Sequence, residues 1–235
     1  MFHTLIIQPL TNVLVFLTSF LGGNIGLAVI VMTLLVKLVL LPFAYSTAKS
    51  QRDMKKIQPM IDDIKKKYPD TTEQSKKIME LYQEHNTNPL SGCLPVLIQL
   101  PIIIGLYRVF LQGVSVDPTT LYSFITSPEH LSNNFLGIVM TQKSYLLALL
   151  AGATQYFQLK FSPTMQNSGQ NGSNTDAQSV MMESMQKSMK YALPIMITFF
   201  ASVVPAAVAL YWVTTNVATL VQEYWINKKL EKQSV

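Results

Sequence analysis

The chain has 235 residues, 49% of them hydrophobic and only 13% charged, with 18 Lys and Arg against 13 Asp and Glu and a formal net charge of +5. About a quarter charged is usual for a soluble globule, so membrane residence is the first reading, and intrinsic disorder and general nucleic-acid binding, which need more charge per residue, are disfavoured. The single cysteine, Cys93, rules out an intrachain disulfide framework and a thiolate zinc site, and His3, His85 and His130 show no ligand spacing, so no metal or other cofactor is expected.

In chain order, Phe2, Leu5, Ile6, Leu10, Val13, Leu14, Leu17 and Phe20 form a helical stripe with polar residues between them. There is no basic n-region or small-residue cleavage site, so residues 1–23 read as an amphipathic helix on the outer membrane surface, with a further span as the alternative. Five apolar segments follow, at 24–43, 90–112, 144–161, 190–203 and 206–226. They approach the roughly 20 residues needed to cross a hydrocarbon core, the shorter ones with help from their flanks. The second contains Pro95 and Pro101 and is expected to be kinked. The predicted class is therefore an all-α integral membrane protein of five transmembrane helices.

Between the first two spans, residues 44–89 carry Met54, Ile57, Ile61, Ile64 and Tyr68 at alternating spacings of 3 and 4, which predicts a helix that packs on another helix. Asp70 and Glu73 have the spacing of a capping box that starts the second helix, and Asn88 and Pro89 end it, giving a cytoplasmic helical hairpin. Pro59 should bend or break its first helix. The mixed charge of this hairpin fits a solvated face or a platform for docking or lipid headgroups. Residues 113–143 form an outer loop. The Ser-, Asn-, Gln- and Gly-rich stretch from Ser162 to Ser179 reads as a mobile linker within a cytoplasmic segment at 162–189. Met181, Met182, Met185 and Met189, further along, are either an adaptable apolar surface or the run-in to the fourth span. Residues 227–235 form a short basic tail.

Counting Lys and Arg by connection from the amino end, with residues 160–190 taken together so that Lys160, Lys187 and Lys190 are counted at the ends of their spans, gives 0, 9, 1, 3, 0 and 3. The alternation places the amino end outside and the carboxyl end in the cytoplasm. The remaining two basic residues, Lys37 and Arg108, fall within spans. Arg108 lies near an outer end, where snorkelling accounts for it. Lys37 is roughly 9 Å deep at helical rise, Gln155 is at a similar depth, and Thr33, Gln99 and Asn216 are at roughly 14 to 15 Å. Four helices thus carry hydrogen-bonding groups in the inner half of the membrane. They either line a wet, positive cavity or act as polar glue between helices. No carboxylate lies well inside a span, so a proton relay or carboxylate-ringed pore has no obvious residues. Cys93 has no evident base, and an enzyme is not expected.

Four stretches are specific: TLLVKLVLLP (Thr33 to Pro42), NPLSGCLPVLIQLP (Asn88 to Pro101), LAGATQYFQLK (Leu150 to Lys160) and PAAVALYWVTTN (Pro205 to Asn216). Together, and in this order, they resemble the membrane segments of the YidC insertases, bacterial members of the Oxa-type superfamily, in a short form without a large outer domain. The resemblance implies a five-helix insertase of the bacterial plasma membrane, with a hydrophilic groove open to cytoplasm and lipid and closed outside, that takes nascent membrane proteins into the bilayer without nucleotide hydrolysis.

It also admits the Sec translocon, the ribosome or the signal recognition particle as partners. By motif position Lys37 stands where the family usually has an arginine. Thr33, Tyr211 and Trp212 match substrate-contacting positions, and Gln155 and Trp212 match groove-lining ones. Gln99 and Asn216 are added from depth and motif context. Lysine keeps the charge but loses the planar fork, Ala207 and Val208 replace a frequent Gly-Leu, and the short tail argues against a strong ribosome-binding extension. The alternative functions are a small channel or lipid-translocating protein, and a non-catalytic membrane assembly factor.

Overall fold

The computed structural model describes residues 4, 7–85, 87, 94–111, 121–123, 125, 130–162 and 177–232. These form helices α1 (Gln8–Phe20), α2 (Ile25–Val39), α3 (Leu41–Lys67), α4 (Thr71–Glu84), α5 (Leu94–Leu111), α6 (Tyr145–Phe161), α7 (Ala177–Val203) and α8 (Ala206–Lys232), with strands β1 (Asn134–Phe135) and β2 (Ile138–Val139) between α5 and α6. Two compact units result: Met1–Val39 with Gln99–Gln222, and Leu40–Ile98 with Glu223–Val235.

In the first unit α1 packs on α2, and the turn between them depends on glycine. Gly22 and Gly23 have φ of 66° and 83°, a region that side chains with a Cβ avoid. A Cβ on Gly23 would also overlap the carbonyl oxygen of His130. This close approach lets Ser132 pair with the turn, its N–H donating to the Gly23 carbonyl at 2.9 Å and its carbonyl accepting from Ile25 N–H at 3.4 Å. β1 and β2 follow as an antiparallel pair with Phe135 opposite Ile138. Their two-residue loop, Leu136 and Gly137, has φ of 52° and 80°, the double positive φ that matches strand twist in tight hairpins. The all-α expectation omitted this hairpin because two-residue strands are too short to show an alternating pattern. Phe135 lies against Gly26 of α2, where a Cβ would strike its ring. Beyond β2, the carbonyls of Gln142 and Met140 accept from the N–H groups of Ala206 and Ala207 at 2.7 and 3.0 Å, satisfying two of the amides that a helix start leaves unpaired.

α6 is capped by Ser144, whose hydroxyl accepts from Leu147 N–H, and packs along α7, with Gly152 at the contact. A Cβ on Gly152 would overlap the Thr198 hydroxyl and lie 3.0 Å from the Pro194 carbonyl oxygen. Small residues of this kind let helices approach to backbone contact. The core of the unit includes Leu14, Ile25, Met32, Leu106, Met140 and the fully buried run Ala206 to Ala209.

Many other large apolar side chains point the other way. Leu38, Val39, Leu149, Ile195, Phe199 and Val221 are all more than 60% exposed, while Asn12, Thr18, Thr33 and Asn216 are buried. A water-soluble bundle could not carry so much exposed apolar surface, whereas a lipid-facing one requires it. Among the described residues no single helix is both long and apolar enough to cross a membrane, although α2 and α3 together pass that test across their break. The expected first span, 24–43, is interrupted at Leu40 because Pro42 has no N–H for the Leu38 carbonyl and its ring crowds that oxygen. The expected linker falls mainly on 163–176, outside the described residues; helix α7 already begins at Ala177. The expected tail at 227–235 continues α8 as helix to Lys232.

The second unit contains the helical hairpin. Ile57 and Ile61 are buried, and α3 continues through Pro59 to Lys67. Asp70 caps α4, its carboxylate accepting from Thr72 N–H at 3.1 Å. Gln74 then closes the corner by donating to the carbonyls of Lys65 and Tyr68. α4 ends at Glu84; Asn88 and Pro89 are outside the described residues. The ammonium of Lys229 lies 5.4 Å from the ring centre of Tyr45 and 5.3 Å from that of Trp225, within cation–π range.

Candidate functional site

Residues four apart on a helix share a face, so Tyr211, Thr215 and Thr219 make one stripe along α8. Two of them bond to other helices. Gln99 of α5 donates to the buried Tyr211 hydroxyl. The Lys37 ammonium of α2 donates to the Thr219 hydroxyl at 2.7 Å, and that hydroxyl in turn donates to the Thr215 carbonyl at 2.7 Å. Asn216, one position round from the stripe, serves a third helix: its amide donates to the Ala151 carbonyl at 3.3 Å and to the Thr154 hydroxyl at 3.1 Å, both on α6. Trp212 is half-buried, with the Phe200 ring of α7 set edge-on at 5.8 Å.

α8 is therefore the element on which the polar residues converge. Lys37, Gln99, Tyr211 and Asn216 enter contacts between helices. Thr33 and Gln155 bond on their own helices: the buried Thr33 hydroxyl donates to the Val29 carbonyl at 2.6 Å, and the Gln155 amide to Gln158, one turn away, at 3.1 Å. Lys37 also differs in setting from a residue deep within a span. The break at Leu40 places it in the last turn of α2, where unpaired carbonyls and the helix dipole favour a cation.

Sequence reasoning missed Thr219 and Thr154. Depth could have flagged Thr219, seven residues from the end of its predicted span where Lys37 is six from the end of its own. Threonines attract little notice because their hydroxyls usually return to a carbonyl of the preceding turn, as those of Thr33, Thr214 and Thr154 do. Thr219 does this and also accepts from Lys37. Among the described residues no group of three or more His, Cys, Asp or Glu could hold a metal ion. Cys93 is outside them. The arrangement can hold a cation and exchange hydrogen bonds inside an apolar helical frame.

In the hairpin unit, Asp53, Lys56, Ile57, Met60, His85 and Thr87 line an open cleft of about 300 Å³. The ring of His85 meets the Met60 sulfur at 3.3 Å. Partial burial pushes the Lys55 ammonium below its ordinary range and the Tyr82 hydroxyl above its own.

A family model described as 60Kd inner membrane protein matches residues 16–233. The membrane protein insertase YidC of Pelobacter propionicus is 35% identical over 229 residues, covering 96% of this chain and 39% of that protein. The insertase of the same name from Fusobacterium nucleatum is 34% identical over 209 residues and 88% of each chain. That from Oceanobacillus iheyensis is 33% identical over 233 residues, 97% of this chain and 84% of the relative. Among solved structures, an active YidC insertase with its first transmembrane domain resolved matches with a TM-score of 0.61 and 27% identity, over 95% of this chain and 46% of the other. The chain thus spans 39% of the Pelobacter relative but most of the shorter ones.

Proposed function

The chain belongs to the 60Kd inner membrane protein family, and from that premise we propose that it is an insertase of the bacterial inner membrane that takes single-span or short-hairpin proteins from the cytoplasm into the bilayer. In this reading α2, α5, α6, α7 and α8 furnish five spans, the amino end is outside, and the carboxyl end is cytoplasmic. The observation that carries it is the bond between Lys37 and Thr219, which holds a cation against a polar stripe inside a frame whose outer surface is apolar. Such a groove lowers the cost of carrying a polar tail through hydrocarbon, where one charged residue at mid-membrane costs about 3 kcal/mol on insertion scales.

An acidic tail entering from the cytoplasm meets Lys37, while the apolar segment behind it slides past α6 and α8 into lipid. Its burial contributes about 25 cal/mol per Å². The membrane potential adds about 2.3 kcal/mol per acidic charge per 100 mV moved outward. The drive is thus physical, and no nucleotide or covalent step is called for. Nascent membrane proteins and lipid are the partners, with the Sec translocon, ribosome and signal recognition particle as further candidates.

The test is insertion of a single-span substrate with an acidic outer tail into proteoliposomes containing the purified chain, without added nucleotide. The parent should insert it, Lys37→Ala should slow it, and Lys37→Glu should slow it more. Equal insertion by all three would remove the charge from the mechanism. Insertion no faster than into protein-free liposomes would remove the function.

A further inference from the structure

We propose that Thr219 is a positioning residue that fixes where the Lys37 charge acts and so sets the preference for an acidic over a neutral substrate tail. The proposal rests on the insertase reading above. A lysine carries a compact charge on a flexible four-carbon stem, so whatever holds the ammonium decides where its field is felt. On a last-turn lysine the competing conformation is snorkelling, in which the stem lies along the helix and the head reaches the interface.

The bond to Thr219 selects against that conformation by tying the head to α8. Its direction is also fixed. The threonine hydroxyl has one proton, already given to the Thr215 carbonyl, so toward Lys37 it presents a lone pair only. A carboxylate in this place would offset the lysine's charge as it held the head, whereas the hydroxyl is a neutral acceptor. Thr219 is on the stripe that includes Tyr211, itself joined to Gln99. The cation is thereby set on the polar track along which a tail would move.

The experiment uses the full chain in proteoliposomes and two single-span substrates that differ only in tail charge, one with Asp and one with Asn. The ratio of their insertion rates is measured for the parent, Thr219→Val, Thr219→Ser, Lys37→Gln and the Thr219→Val/Lys37→Gln pair. Valine keeps the shape without the acceptor, and serine restores the acceptor without the methyl. Thr219→Val should lower the acidic-to-neutral ratio about tenfold, the low end of what is expected for losing one hydrogen bond to a charged group. Thr219→Ser should keep the parent ratio, and the double variant should match Lys37→Gln alone.

A second readout is independent of insertion: labelling of the Lys37 amine by a water-soluble reagent, followed by peptide, should quicken in Thr219→Val and not in Thr219→Ser. If Lys37→Gln lowers the ratio while Thr219→Val leaves both ratio and labelling at parent values, Thr219 has no positioning role. Equal impairment by valine and serine would exclude that role as well. If Lys37→Gln itself leaves the ratio unchanged, the electrostatic step fails and this proposal with it. A parent that inserts neither substrate sinks the insertase reading too.

Discussion

Two helix contacts in the same unit are built on opposite plans. Between α6 and α7 the backbones come together at Gly152, with no room for a methyl group beside Thr198, and the Thr198 hydroxyl turns back to Pro194 of its own helix at 2.9 Å. Between α8 and the helices α2 and α5, contact is made through the ends of long side chains, Lys37 to Thr219 and Gln99 to Tyr211. Contacts of the first kind cannot separate without leaving a void. Those of the second can be exchanged, one hydrogen bond for another, with little net change in free energy. In the proposed reading the first plan makes a frame and the second a seam along which a polar chain moves. Asn216 lies between them, anchoring α8 to the frame through Ala151 and Thr154.

The largest effect should come from filling the space that the frame lacks. Gly152→Leu places atoms where Thr198 and the Pro194 carbonyl already are, and overpacking of this kind costs about 3 kcal/mol or more. Loss of the protein from membranes, or a sharply lowered thermal midpoint in detergent, is the expected result. Normal accumulation and stability would show that α6 and α7 are not locked and would break the contrast. Gln99→Leu should behave differently. Removing the amide leaves the Tyr211 hydroxyl without that donor, a cost of about 1 to 2 kcal/mol, while insertion of a polar-tailed substrate falls more than stability does. Equal losses in both would make the α8 seam part of the frame. Asn216→Ala should be intermediate in kind and smaller in stability cost, about 1 kcal/mol by the measured scale of bonds between membrane helices. Thermal unfolding in detergent checks it, and a cost above that of Gly152→Leu would invert the ranking.

Much of this contrast is legible in the sequence, and unevenly. The apolar runs locate α2, α5, α6 and α8 because lipid-facing helices repeat a strong signal over many residues. Asp70 before Glu73 marks the start of α4, though the corner is closed by Gln74 in place of a reciprocal glutamate bond. Depth brings Lys37, Gln99 and Asn216 into consideration, since all three sit on apolar backgrounds. It gives no direction around the helix, which is why Thr33 and Gln155 fall into the same group although they bond locally. The break at Leu40 is written in Pro42, but hydropathy runs straight across it. The β1–β2 hairpin is illegible because it is held by Phe135 against Gly26 and by its flanking residues against Gly23 and the start of α8, all distant in sequence.

The smallest effects belong to the exposed polar contacts of the hairpin unit, which solvent weakens. Asp70→Ala removes the bond to Thr72 N–H and should destabilise α4 by about 1 kcal/mol, the usual worth of such a cap, read as faster amide exchange in Thr71–Glu84. The exposed pair Lys77 and Glu80, 2.7 Å apart, should contribute less. Its hydrogen bond and then its charge hold the Glu80 carboxyl below the ordinary carboxylate range and the Lys77 ammonium above the ordinary lysine range. A lowered carboxyl contributes stability above its unfolded value and loses it as pH falls through the folded one. A raised ammonium contributes below its unfolded value and loses it as pH rises through the folded one. The pair is therefore intact across neutral pH and fails at both extremes, and salt screens it throughout because both groups are exposed. Exchange in α4 should quicken slightly in acid and in high salt, and Glu80→Gln should abolish both responses at that turn while leaving α6 and α7 untouched. An acid response of equal size in α6, which contains no carboxylate, would mean that the scaffold is softer than its packing indicates.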